Sequence, residues 1–249
     1  WLAETLADFG GLSLVVSMAL LLLIAAFFAL LFALLLGLVQ RARCTLGIAP
    51  VWTLMVAYPA LEFIFPNALP YNIGASQYRF TAITQIVEVT GLLGLTALIG
   101  MVNGAFYELV EARWERRRPV FLRWFVPVVG FLLVLGYGMI RVGQVDASIK
   151  SARHLTVGLI QTNHSARDQS VSRREVVERH REMTMDLIKA NPGMDFVVWP
   201  ETVLITSISE LEPFGRRLEI GRPLVTGAFV RGDGERFFNS MITISAEGN

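Results

Sequence analysis

The sequence predicts a multi-span α-helical membrane region followed by an α/β layered domain. The chain is 53% hydrophobic and only 17% charged, with a mean hydropathy of +0.52, whereas an ordinary soluble domain is about 25% charged. Long apolar runs stop after Ile140, and patterns typical of strands and helices alternate after residue 154. We therefore predict that residues 1–141 lie in lipid, 142–154 form a linker and 155–249 form an extramembrane domain.

Four apolar stretches predict the membrane spans. Residues 11–39 form a nearly uninterrupted apolar run without charge, longer than the roughly 20 residues that cross a bilayer core. The weaker predicted spans are 48–65, 80–107 and 120–140.

Loop charges give these spans a direction. Arg41 and Arg43 follow the first span, and four arginines within residues 113–118 follow the third, whereas residues 1–10 and 66–79 together hold one arginine. Positive residues collect on the cytoplasmic side of a membrane. The residues after about 141 should therefore lie outside the cytoplasm, which is the periplasm of a double-membrane bacterium.

The second half of the chain reads as an α/β layer. Ser172 and Glu175 form the capping box of a predicted helix. Predicted strands are 155–161, 196–199, 223–230 and 236–245, with helices at 172–190 and 207–220 and a turn at 231–234. This order of elements is typical of an α/β domain.

Composition excludes several kinds of partner. The net charge is +1, so no broad basic field would bind nucleic acid. The one cysteine, Cys44, excludes an internal disulfide framework, and the three histidines lack metal-ligand spacing. We expect no nucleic acid, no metal and no cofactor.

Glu201 is the leading catalytic candidate. It comes directly after a predicted buried strand, and ligand sites of α/β sheets form at the carboxyl ends of strands. A carboxylate there could act as a general base. Alternatively, Glu201 only flanks the following helix and faces water.

Several runs resemble known proteins. Residues 157–163, 197–202, 225–229 and 237–240 (VGLIQTN, VVWPET, VTGAF and FFNS) resemble the opening half of the carbon-nitrogen hydrolase, or nitrilase, fold. The membrane half, at 59–62, 74–77 and 94–103, is similar to the apolipoprotein N-acyltransferase family. The resemblance implies a nitrilase-like αββα layered domain on the periplasmic side of the bacterial inner (plasma) membrane, incomplete in a chain that is cut at both ends.

The resemblance also implies a reaction. The family transfers an acyl chain from a phospholipid, through a thioester on the enzyme, to the N-terminal diacylglyceryl-cysteine of an apolipoprotein. Glu201 matches the family's Glu, while its Lys and Cys should lie beyond Asn249. Lys150 and Lys189, the only lysines, precede Glu201 and match neither the order nor the motif. We therefore expect the chain to be inactive alone.

The resemblance adds two supporting residues. Asn239 matches the family's Asn before the Lys and is expected to hold the active-site backbone, or it is an ordinary strand-turn residue. Glu62 resembles a glutamate in the corresponding span; the alternative is that it lies solvated near the headgroups, because Pro59 and Pro66 bracket a helix end. For Glu88 we favour a structural role.

Other residues receive weaker interpretations. Cys44 lies at the predicted cytoplasmic end of the first span, so we expect a structural residue, with a palmitoylation site as the alternative, and not the nucleophile. The loop 66–79 lines an entrance for lipid, or its residues Tyr71, Tyr78 and Arg79 are only interfacial anchors.

Two other functions stay open. One is a membrane-tethered carbon-nitrogen hydrolase, an amidase or nitrilase acting on a small soluble substrate. The other is a non-catalytic membrane-anchored remnant or binding module, although it would leave residues 237–245 as an edge strand over uncovered apolar surface.

Overall fold

The computed structural model describes residues 2–66, 72–163, 172–201, 203–207, 215, 218–232 and 236–248. The chain divides into two compact units. We call Trp1–Ser151 the membrane unit and Ala152–Asn249 the sheet unit, and each is described by itself.

The described part of the membrane unit is helical. Its elements are α1 (Leu2–Gly10), α2 (Leu14–Leu46), α3 (Pro50–Ile64), a 3₁₀ helix (Ile73–Gln77), α4 (Thr81–Thr84), α5 (Val87–Trp114) and α6 (Phe121–Ser151). Three of them, α2, α5 and α6, are long and apolar enough to cross a membrane. The predicted multi-span class is confirmed.

The predicted second span corresponds to a shorter helix. The helix α3 has 15 residues, so it rises about 22 Å along its axis, which is less than the roughly 30 Å of a bilayer core. Three helices of spanning length and one shorter apolar helix therefore stand where the sequence predicts four spans.

Two predicted boundaries in this unit differ from the structure. The third predicted span starts at residue 80, but α5 begins at Val87 and is interrupted at Gly91, where φ is 66° and ψ is −179°. This combination is accessible essentially only to glycine. The last predicted span ends at residue 140, yet α6 continues to Ser151, so residues 142–151 of the predicted linker are helix. Backbone hydrogen bonds continue where the apolar side chains stop.

Glycines bring α3 and α5 together. A Cβ at Gly100 would lie 2.6 Å from the carbonyl oxygen of Leu54, and a Cβ at Gly104 would overlap the backbone of Val51. Small residues spaced by four let membrane helices approach closely. These glycines therefore fix the α3–α5 contact.

The sheet unit contains five described strands and one long helix. They are β1 (Val157–Leu159), α7 (Arg173–Ala190), β2 (Phe196–Val198), β3 (Leu204–Ser207), β4 (Leu224–Arg231) and β5 (Phe237–Ile244). The sequence did not predict β3, and the prediction that a helix begins at Ser207 is wrong because Ser207 ends that strand. The rest of that predicted helix up to 217, apart from residue 215, and residues 233–235 of the predicted turn lie outside the described residues.

The strands form one mixed sheet around β4. β1, β2 and β4 are parallel neighbours, and β5 pairs antiparallel with the whole of β4. β3 is also parallel to β4. β5 occupies one edge of β4. The opposite edge of β4 therefore pairs first with β2 and then, further along β4, with β3.

Among the described residues of the sheet unit, one face of this sheet is covered and the other is open. The covered face includes Val197, Leu224 and Ala228, all at most 1% exposed, and side chains of α7 pack against the same core. On the other face, Leu159 is 74% exposed and Met241 is 80% exposed. This partial sheet is consistent with the predicted incomplete nitrilase-like domain.

Candidate active site

A break in the sheet places Glu201. The amide of Trp199 donates to the carbonyl oxygen of Val225 (2.9 Å), and the amide of Gly227 donates to that of Pro200 (3.3 Å). Pairing then resumes between Leu204 and Ala228.

The registers of β2 and β3 on β4 show that the ladder is interrupted between these two strands. The step from Val198 to Leu204 is six residues, while the facing step from Val225 to Ala228 is three. Glu201 and Val203 therefore leave the ladder between β2 and β3, and we call this interruption the Glu201 loop. Glu201 is exposed there. The sequence placed Glu201 after a strand but did not predict that the strand resumes after it.

Asn239 binds the Glu201 carboxylate. Asn239 lies on β5 opposite Phe229, and its side-chain Nδ2 donates to Glu201 Oε1 at 2.8 Å. The resemblance implies that Asn239 holds the active-site backbone, but the contact that the structure shows is with the carboxylate. The hydrogen bond restricts the Glu201 side chain while leaving it open to solvent.

Buried hydrogen bonds support the strand that carries the loop. Trp199 is 2% exposed and Thr184 is fully buried. The indole Nε1 of Trp199 donates to Thr184 Oγ1 (2.9 Å), which donates in turn to the carbonyl oxygen of His180 (2.7 Å). Thus α7 anchors Trp199, two residues before Glu201.

Glu62 is buried in the membrane unit, so the alternative of a solvated carboxylate near the headgroups is wrong. It is 6% exposed. Its carboxylate accepts hydrogen bonds from the amide of Ile73 (2.7 Å), Thr96 Oγ1 (2.7 Å) and Asn72 Nδ2 (3.2 Å). These donors come from α5 and from the start of the 3₁₀ helix, so Glu62 ties three segments together. It belongs to a different unit from Glu201.

Glu88 also links two helices of the membrane unit. The hydroxyl of Tyr137 donates to its carboxylate, and Arg141 Nε lies 2.7 Å from the same oxygen. These contacts between α5 and α6 are consistent with the structural role favoured for Glu88.

The other single candidate residues that the structure describes lie on helices α2, α6 and α7. Cys44 is exposed on α2 and accepts a hydrogen bond from Gln40 (3.4 Å). Lys189 lies 3.5 Å from Asp186 on α7, and Lys150 lies in the last turn of α6. Tyr71 lies outside the described residues. Within the described ranges, no group of three His, Cys, Asp or Glu side chains could hold a metal ion.

Ion pairs join the two basic loops of the membrane unit. Arg43, near the end of α2, lies 2.5 Å from Glu111, and Arg117, just after α5, lies 2.7 Å from it. Glu108, 1% exposed, pairs with Arg117 (2.9 Å) and Arg123 (3.2 Å). Hydrogen bonds, the largest effect coming from Glu108, raise the pKa of Arg117. Both basic segments therefore lie at the same end of the unit.

Comparison with known proteins agrees with these features. The family described as "Apolipoprotein N-acyltransferase N-terminal domain" matches residues 1–105. The chain is 26% identical over 270 residues to "Apolipoprotein N-acyltransferase" of Geobacter metallireducens, covering 100% of this chain and 50% of that protein. Residues 1–105 are thus similar to that N-terminal domain, and the chain as a whole is similar to an apolipoprotein N-acyltransferase.

A second relative extends the comparison. "Apolipoprotein N-acyltransferase 2" of Treponema pallidum is 23% identical over 215 residues, covering 74% of this chain and 38% of that protein. The chain thus spans half or less of the length of these curated relatives. The match to the Geobacter protein includes the sheet unit, so it covers Glu201 and Asn239 as well as the membrane unit.

Proposed function

We propose that the protein is an N-acyltransferase of the nitrilase superfamily in which Glu201 is the general base. The reaction moves an acyl chain from a phospholipid to the N-terminal diacylglyceryl-cysteine of an apolipoprotein, through a thioester on the enzyme. The proposal rests on the position of the Glu201 carboxylate. It lies at the interruption between β2 and β3, and it accepts a hydrogen bond from Asn239. Similarity to apolipoprotein N-acyltransferases supports it.

Glu201 would move protons in both halves of the reaction. In the first, it takes the proton of a cysteine thiol, and the thiolate attacks the ester carbonyl carbon of the phospholipid. The ester C–O bond breaks, and the leaving lysophospholipid oxygen receives the proton from Glu201. In the second, the acceptor amine attacks the thioester, and its proton passes through Glu201 to the leaving sulfur.

Asn239 would position this base. An unrestrained glutamate samples several rotamers, whereas the 2.8 Å hydrogen bond limits Glu201 to orientations that reach Asn239. We propose that the thiol and the lysine that stabilises the oxyanion come from outside residues 1–249. Cys44, in the membrane unit, is not the nucleophile.

We also propose a multi-pass location in the bacterial inner membrane, with the sheet unit in the periplasm. Two basic segments that meet at one end of the membrane unit support this orientation, because arginines favour the cytoplasmic side. Both substrates are lipid-anchored. A site held at the membrane surface avoids transferring acyl chains into water, which costs about 0.8 kcal/mol per CH₂ group.

The test is acyl-enzyme formation by the complete enzyme in phospholipid micelles. Glu201→Gln removes the base and keeps the size of the side chain, so the rate of thioester formation should fall about 10²- to 10⁴-fold. Asn239→Ala should lower it about tenfold, the equivalent of one hydrogen bond of roughly 1.4 kcal/mol. The readout is the mass of the acylated protein against time.

Glu182→Gln is the matched control, because Glu182 is an exposed glutamate of α7 in the same unit. It should acylate at the wild-type rate. Normal thioester accumulation in Glu201→Gln would refute the assignment of the base. Release of ammonia from a soluble amide, without transfer from phospholipid, would instead favour the membrane-tethered carbon-nitrogen hydrolase.

A further inference from the structure

Residues 72–82, which precede α5 in the chain, are held firmly in the membrane unit. Glu62 accepts the hydrogen bond of the Ile73 amide that begins the 3₁₀ helix. A Cβ at Gly74 would lie only 2.9 Å from the carbonyl oxygen of Leu92 on α5, so the two backbones are in close contact. Further along, Gly138 of α6 fits closely against the backbone of Ala82. Three helices therefore fix this segment in place.

The fixed segment presents an exposed tip. Tyr78 is 70% exposed and Phe80 is 45% exposed, and Arg79 between them is also exposed. The guanidinium carbon of Arg79 lies 5.7 Å from the centre of the Tyr78 ring. We call residues 78–80 the aromatic tip.

Arg79 has no competing carboxylate within the described part of the chain. No ion pair involves it there, whereas the two carboxylates of the neighbouring helices are engaged, Glu62 by three hydrogen-bond donors and Glu88 by Arg141. Arg79 is also the only basic side chain between Arg43 and Arg113. The cation is therefore available to an external anion.

The location of the tip selects the kind of anion. The 3₁₀ helix lies between the end of α3 and the start of α5. Because α5 is long and apolar enough to cross a membrane, residues near its start are expected to lie at the headgroup layer. Aromatic side chains are enriched at this layer, and guanidinium groups bind phosphate through two parallel hydrogen bonds.

We propose that the aromatic tip is a binding site for the phosphodiester group of a membrane phospholipid. Arg79 donates to the phosphate oxygens, Tyr78 restrains the guanidinium through its ring, and Phe80 contacts the upper acyl region. Tyr78 and Arg79 thus act together and not as anchors alone. The site requires no acyl transfer, so it stands or falls independently of Glu201.

The test is lipid binding to the chain of residues 1–249, purified in detergent and studied by native mass spectrometry. The probes are dioctanoyl phosphatidylethanolamine and dioctanoylglycerol, which share acyl chains but differ in the phosphate headgroup. Arg79→Ala should weaken binding of the phospholipid about tenfold and leave binding of dioctanoylglycerol unchanged. Arg79→Lys should retain part of the affinity, because lysine keeps the charge but loses the planar fork.

Arg174→Ala is the matched control, an exposed arginine on α7 in the sheet unit. It should bind both lipids as the wild-type chain does. Circular dichroism checks that each variant keeps its helices, and Tyr78→Ala, which leaves the arginine in place, should give a smaller loss. Equal phospholipid affinity in wild type and Arg79→Ala would overturn the proposal. Displacement of the lipid by equimolar inorganic phosphate would overturn its assignment to a lipid.

Discussion

The buried hydrogen bond between Trp199 and Thr184 gives a quantitative prediction. Thr184→Val keeps the shape of the side chain but leaves the indole N–H of Trp199 without its acceptor. Both residues are at most 2% exposed, so water cannot replace the lost 2.9 Å contact without disturbing the core. An unsatisfied buried donor costs about 1–3 kcal/mol, and the free energy of unfolding of the sheet unit should fall by about 2 kcal/mol.

Hydrogen exchange in the full chain measures this change locally. The Trp199 amide, bonded to Val225, and the Gly227 amide, bonded to Pro200, lie on either side of the contact between β2 and β4. Their protection should decrease about 30-fold, which corresponds to about 2 kcal/mol. Protection of amides in α5 should not change.

A double-mutant cycle separates the hydrogen bond from packing. Trp199→Phe loses indole volume as well as the donor, so it should cost more than Thr184→Val. The two changes together should cost about 1 kcal/mol less than the sum of the single changes, because the second removes a group already unpaired. Thr243→Val, at an exposed position of β5, is the control and should stay within about 0.5 kcal/mol of wild type. A Thr184→Val effect no larger than this control would refute the reasoning.

Two further predictions concern the membrane unit. Glu108→Gln should lower the free energy of unfolding of this unit by about 1–3 kcal/mol, because it leaves two arginines without their buried partner. Glu115→Gln, at a side chain 48% exposed, should change that free energy by less than about 0.5 kcal/mol. Thermal unfolding in detergent measures both variants, and equal effects would contradict the role of burial. Cys44, followed by mass spectrometry of the peptide that contains it, should resist a membrane-impermeant maleimide in intact spheroplasts and react after lysis. In a Cys44→Ser background, the peptide that carries Thr243→Cys should react in both cases. Labelling of Cys44 before lysis would reverse the proposed orientation.

Strong local patterns made much of the fold predictable. The uncharged run at 11–39 predicted most of α2, and the capping box predicted the start of α7: Ser172 Oγ accepts from the Glu175 amide at 3.3 Å. The end of α6 was not predictable from hydropathy, because Arg141, Gln144 and Asp146 end the apolar run without ending the helix. Helix formation and membrane insertion depend on different properties of the same residues.

The site was predictable in position but not in contacts. Glu201 follows a strand, as the sequence indicates, but the bond from Asn239 joins residues 38 apart in the chain. It depends on the register between β4 and β5, which sequence pattern alone leaves open. β3 was missed because four residues are too few to show an alternating pattern. The buried partners of Glu62 depend on how three segments meet.

The Glu201 loop allows the position of the glutamate to vary while the register of the strands stays fixed. In a continuous strand, adding or removing one residue turns every following side chain to the opposite face. Here β2 and β3 are each held by β4 in their own register, so a change in the length of the loop can be absorbed between them. Leu204, 3% exposed, would stay in the core. Evolution can therefore adjust the reach of the glutamate without rebuilding the sheet that supports it.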